Sequence, residues 1–115
     1  MATVLAPGSA LLTAQARFFQ VLADPTRLAV LGALAQGEHS VAELVDALGV
    51  PRSRVSNHLA CLRWCEFVQG RRRGRHVVYG LRDERLPELL VAAADLAAEQ
   101  IDQLGSCARL GPEWI

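Results

Sequence analysis

Residues 40 to 81 read SVAELVDALGVPRSRVSNHLACLRWCEFVQGRRRGRHVVYGL, and their hydrophobic period changes once. At the start, Ser40 and Glu43 have the S-x-x-E spacing of a capping box ahead of Leu44 and Leu48, and Gly49 stops the run, which predicts a short helix. After the break GVP, Val55, Leu59 and Leu62 recur at i, i+4 and i+7, the stripe that a second helix buries. Beyond Cys65 the pattern turns β-rich: FVQ and HVVYGL flank an arginine- and glycine-rich centre, which predicts a hairpin with Gly74 at or near its turn. Helix, turn, helix, hairpin is the order of a helix-turn-helix (41–63) followed by a two-stranded wing (67–82).

Outward from this segment the chain reads as helix. Residues 9–22 place Leu11, Leu12, Phe18, Phe19 and Leu22 at helical spacings. In ADPTRLAVLGALAQG, Asp24 suits an N-cap and Pro25 the first helical position; Leu28, Leu31 and Leu34 follow on one face, and Gly37 stops the helix. Residues 86–104, LPELLVAAADLAAEQIDQL, form a long amphipathic pattern with an acidic outer face, and the tail 105–115 has no period and is expected to be flexible. With 115 residues, no repeat and no low-complexity run, the expectation is one domain over 1–115, mainly α with a small β-hairpin.

The formal net charge is zero, but the charges are segregated. All twelve basic residues are arginine, and seven of them (52, 54, 63, 71, 72, 73 and 75) fall between Arg52 and Arg75 against one acid, Glu66. From Leu81 onward seven acids face three arginines. A concentrated arginine block is how a small domain attracts a phosphate backbone, so double-stranded DNA is the expected partner. The N-terminal stretch lacks the basic n-region of a signal peptide, and no run approaches the length of a membrane span, so a cytoplasmic protein with no membrane partner is expected. In that compartment Cys61, Cys65 and Cys107 are metal-binding, reactive or buried rather than disulfide-bonded.

The segments ADPTRLAVLGAL, SVAELVDALGV, RVSNHLACLRWCEFV and GRRRGRHVVYGL resemble, in sequence and order, the ArsR/SmtB family of metal-responsive winged-helix repressors over roughly residues 17 to 82. NHLACLRWC with a cysteine near the C-terminus resembles the family's cadmium- and lead-sensing CmtR branch. The resemblance implies a homodimer paired through the first and last helices (9–22 and 86–104), which binds a palindromic operator when metal-free and leaves it when metal binds. One departure is Pro51, which stands where a serine or threonine cap often precedes the recognition helix and leaves the start of that helix open.

The DNA half also follows from the residues themselves. A recognition helix points its N-terminal residues at base edges, so the positions around the buried Val55 and Leu59 matter: Arg52, Ser53, Ser56 and Asn57, with Arg54 and His58 as phosphate or edge contacts. Arg71, Arg72, Arg73 and Arg75 in the wing are assigned to phosphates or the minor groove.

Cys61 and Cys65, four apart, differ by roughly 40° around a helix and about 6 Å along it, so both reach one ion. They fall at the edge of the core, on a stripe shared with Arg54 and His58, and nearby arginines are expected to favour their thiolates. Two thiolates rarely satisfy a soft divalent ion, so a third, from Cys107, is chemically apt. In the CmtR-like arrangement that third ligand comes from the other protomer, giving an S3 site of Cys61, Cys65 and Cys107, with Cd(II) or Pb(II) as effector and Hg(II), Zn(II) or As(III) able to use the same donors. His58 is a fourth-ligand alternative to a DNA-facing histidine, and Trp64 is expected to pack. The bland alternative is that the cysteines are small buried hydrophobes.

No cysteine precedes Cys61 and the last helix lacks histidine, so the sites of the arsenic-sensing, larger cadmium-sensing and zinc-sensing relatives are missing. Two other readings compete: a winged helix that senses thiol oxidation or an organic ligand without metal, and a pure dimerisation or adaptor module. An enzyme is not expected, because the three histidines meet no cysteine at a plausible pocket and there is no phosphate loop.

Overall fold

The computed structural model describes residues 4–107. Helix α1 (Ala10–Leu22) starts at Ser9, whose hydroxyl accepts from the Leu12 N–H, and α2 (Pro25–Gln36) starts at Asp24, whose carboxylate accepts from the Arg27 N–H at 2.9 Å. A two-residue strand β1 (His39–Ser40) leads into α3 (Val41–Leu48), and the Ser40–Glu43 capping box forms in both directions. Helix α4 (Arg52–Trp64) follows, then β2 (Val68–Arg73), β3 (His76–Leu81), α5 (Arg85–Glu99) and α6 (Ile101–Ser106). Two turns need a left-handed residue and have glycine there: Gly49 between α3 and α4, and Gly74 at the tip of the β2–β3 hairpin. Glu66, joining α4 to β2, is the one non-glycine residue with positive φ among the described residues (65°), and it is held by an ion pair to Arg82 at 2.8 Å.

The predicted stripe of α4 is the centre of the core. Val55, Leu59 and Leu62 are buried against Val30, Leu31 and Leu34 of α2, Leu44 of α3, and Phe67 and Val68 at the start of the wing. Mainly α with a small antiparallel sheet, arranged as a winged helix-turn-helix, is therefore the observed fold.

Three details differ from the sequence reading. The sheet has three strands in the order β1-β3-β2, because His39 pairs with Tyr79 and Ser40 with Val78; a strand of two residues has no alternation to betray it. On α2 the buried residues are Val30, Leu31 and Leu34, while Leu28 is 42% exposed, since it lies about 110° around the helix from the centre of that face. The last helix begins at Arg85 and is broken at Gln100, and its second piece runs through Ser106, past the expected end at 104. Residues 108–115 of the expected tail lie outside the described residues.

At the start of α5, Asp83 accepts from the Arg85 backbone N–H at 2.8 Å and from its guanidinium at 2.8 and 3.1 Å. These side-chain bonds, with the backbone one, hold the Asp83 carboxyl down to about 2. Only Leu86 of α5 is fully buried, whereas Leu96 and Ile101 are 63% and 69% exposed and Leu11 and Phe19 of α1 also face outward. No single helix among the described residues is long and apolar enough to cross a membrane.

Candidate nucleic-acid interface and thiol pair

Helix α4 begins at Arg52, which settles the start that Pro51 left open. The Pro51 carbonyl accepts from Arg54 and Val55, and no side chain caps the helix. In its first two turns Val55 points inward, while Arg52, Ser53, Arg54, Ser56 and Asn57 are exposed and His58 is half-buried. Thus five of the six helix residues expected to meet DNA are exposed in the first two turns of α4. Arg54 leans on α2, donating from Nη2 to Thr26 Oγ1 at 3.3 Å. His58 lies within electrostatic reach of Asp24: the Asp24 carboxyl is lowered first by the Arg27 N–H, and then, against some burial, by the charges of Arg27 and His58.

In the wing, Arg72, Arg73 and Arg75 are exposed and enter no ion pair among the described residues. Arg71 differs, because its guanidinium is engaged by Glu38. This partner was not legible in the sequence, where the two residues stand 33 apart.

The C-terminal half of α4 presents the thiols. Cys61 and Cys65 are both exposed, and the Cys65 N–H donates to the Cys61 carbonyl at 3.0 Å as the helix ends. One helical turn before it, Cys61 lies close enough to act on the Cys65 thiol. Partial burial pushes the Cys65 thiol up most; the negative charge of a Cys61 thiolate and the hydrogen bond that the Cys65 thiol donates to its sulfur push it further. The expectation that neighbouring arginines favour the thiolates is therefore corrected for Cys65. The opposing cation is Arg27 of α2, outside the arginine block, and it is the weakest of the four influences.

Arg27 was not singled out in the sequence, although it lies in the ADPTR segment. Its Nε donates to the Val21 carbonyl at 2.6 Å and its Nη2 to the Gln20 carbonyl at 3.2 Å, so it closes the C-terminus of α1 beside the thiol stripe. Among the described residues no group of three histidine, cysteine, aspartate or glutamate side chains gathers to hold a metal ion. Within one chain, then, neither His58 nor Cys107 completes the pair; Cys107 follows α6 and is half-buried. Trp64 is not packed as expected but 88% exposed. It borders a groove of about 550 Å³ with Ser56, Ala60, Arg63 and Tyr79, which opens on the other flank of α4 and is lined by none of the thiols.

The family model for bacterial regulatory proteins of the arsR family matches residues 24–69. A probable mercury resistance operon repressor from Streptomyces lividans is 43% identical over 98 residues, which cover 85% of this chain and 78% of that protein. The chain belongs to the arsR family. Among solved structures, this arsR-family chain is similar to the cadmium metal-sensor CMTR of Mycobacterium tuberculosis, with a TM-score of 0.60 and 45% identity over 67% of this chain and 80% of that one. It is also similar to the homodimeric winged helix-turn-helix DNA-binding domain Mb0332 of Mycobacterium bovis, with a TM-score of 0.69 and 31% identity over 90% and 94%. Its relatives are repressors and regulators, so this arsR-family chain is a transcriptional regulator and not an enzyme.

Proposed function

We propose that the protein is a cytoplasmic, homodimeric repressor that binds a palindromic operator when metal-free and releases it on binding a thiophilic ion such as Cd(II) or Pb(II). The observation that carries this reading is the exposed Cys61–Cys65 pair on the helix that also presents Arg52, Ser53, Ser56 and Asn57. The donors fit the ion class: two adjacent thiols, joined by no carboxylate or imidazole among the described residues, select soft ions over hard ones. Relatives whose names refer to mercury and cadmium support the same class.

The roles divide by element. Arg52, Ser53, Ser56 and Asn57 face base edges, Arg54 and His58 flank them, and Arg72, Arg73 and Arg75 neutralise phosphates, aided by the first N–H groups of α4, which no side chain caps. Cys61 and Cys65 hold the ion with Cys107 of the partner subunit, and a bound soft ion supplies a crosslink between thiolates. The outward apolar faces of α1 and α5–α6 support pairing of two chains, as in the homodimeric neighbour. Because the thiols sit on the reading helix, drawing the partner's tail onto them biases the dimer against the half-site spacing without any clash with DNA.

The test is fluorescence anisotropy of a duplex taken from immediately upstream of the coding region, titrated with reduced protein and then with cadmium. Tight binding reversed by near-stoichiometric cadmium, and a Cys107→Ser variant that still binds DNA but loses much of the response, are the expected results. Binding that ignores cadmium but responds to peroxide would replace this reading with a thiol-oxidation sensor.

A further inference from the structure

Glu38 stands at the turn between α2 and β1, and its side chain is laid across the sheet. On the central strand β3, Gly80 leaves the surface bare at that point: a Cβ there would lie 3.3 Å from Glu38 Cγ and 3.7 Å from Oε2. The carboxylate continues to the outer strand, where Arg71 Nε donates to Oε2 at 2.7 Å and Nη2 donates to Oε1. This is the two-pronged geometry in which guanidinium and carboxylate bind best. Register explains the path, since Gly80 pairs with Gln69 and Val78 with Arg71, which places Gly80 and Arg71 on one face of the hairpin. On the opposite face the Tyr79 ring covers Gly70, where a Cβ would meet it at 3.1 Å. The wing is thus pinned on both faces.

We infer that Glu38 and Arg71 form a strut that fixes the pitch of the wing, so that Arg71 positions the DNA-contacting arginines and does not itself neutralise a phosphate. The inference rests on the reading of the wing as a DNA contact. Three observations carry it. The Nε–Nη2 edge of Arg71 is already matched by one carboxylate, which neutralises its charge, and exchanging that carboxylate for phosphate would strand Glu38 beside a polyanion. Arg71 lies in the middle of β2, whereas Arg73 and Arg75 flank the tip at Gly74. Finally, Arg72, Arg73 and Arg75 enter no ion pair among the described residues, Arg73 acting on Glu38 and Glu43 only through space, and they are left to meet phosphates.

The experiment compares the salt dependence of binding to the upstream duplex for wild type, Glu38→Gln, Arg71→Gln, the double variant and Arg73→Gln, with thermal melts to confirm folding. Each phosphate contact contributes about one to the slope of log K against log salt. Arg73→Gln is expected to reduce that slope by about one. Glu38→Gln and Arg71→Gln are each expected to weaken binding by roughly two- to fivefold, the reach of an exposed pair, at unchanged slope, and the double variant to be no worse than either single. If Arg71→Gln lowers the slope by about one, or Glu38→Gln tightens binding, Arg71 is a phosphate contact with Glu38 its competitor, and the strut is wrong. Two single variants indistinguishable from wild type would also overturn it. Wild-type protein with no salt-dependent DNA binding would instead remove the underlying reading.

Discussion

The two halves of α4 differ in what they expose and share one buried apolar stripe. The first half shows Arg52, Ser53, Arg54, Ser56 and Asn57 to solvent, and the second shows Ala60, Cys61, Arg63 and Trp64, with Cys65 at its C-cap; one continuous stripe of Val55, Leu59 and Leu62 anchors both. A helix of thirteen residues is about 20 Å long and stiff, so its ends cannot be re-aimed independently. On the proposed reading, sensing and DNA reading need no separate pathway, because one rigid element carries both and a shared core sets its angle.

The comparison can be broken most severely at the shared stripe. Leu59→Ala empties a fully packed site and is expected to cost about 2–5 kcal/mol of stability, lowering both DNA and metal binding; a chemical denaturation series measures it. Cys65→Ser, at an exposed position, should separate the halves from one side. Cadmium affinity, read by competition with a chelator, is expected to fall at least about tenfold while operator binding and melting temperature hold. Asn57→Ala separates them from the other side, losing about 1–3 kcal/mol of operator affinity by anisotropy with cadmium affinity intact.

The smallest effect is a control remote from α4. The Asp83 carboxyl titrates near 2 in the folded chain against an ordinary 3.8, so the stability it adds is complete above the ordinary value and disappears as pH falls through about 2. Wild type and Asp83→Asn should therefore differ slightly in melting temperature at pH 5 and coincide below pH 2, with both functions of α4 untouched at neutral pH.

Features set by neighbours three or four residues apart were legible in the sequence: the Ser40–Glu43 box, the Asp24–Pro25 start, the 55/59/62 stripe, the neighbouring cysteines and the Gly74 turn. What was not legible depends on partners brought in by the fold. Arg71 looked like one more cation in a block until register placed Glu38 beside it. Leu28 and Trp64 looked like packing residues because periodicity identifies a face without saying whether another element covers it. The raised Cys65 thiol has the same origin, since its first cause is burial by the surrounding fold, opposed only weakly by Arg27 of α2. The break at Gln100 has no proline or glycine within four residues to announce it.

The uncovered faces of α1 and α5–α6 carry one more consequence. A chain that completes its burial only against a second copy has a stability that depends on how much of it there is. Its melting temperature should climb as the sample is concentrated, unlike that of a protein whose core is closed. In a cell, copy number then becomes part of folding: a sparse population spends more time as open monomers within reach of proteases, and synthesis rate sets lifetime as well as abundance.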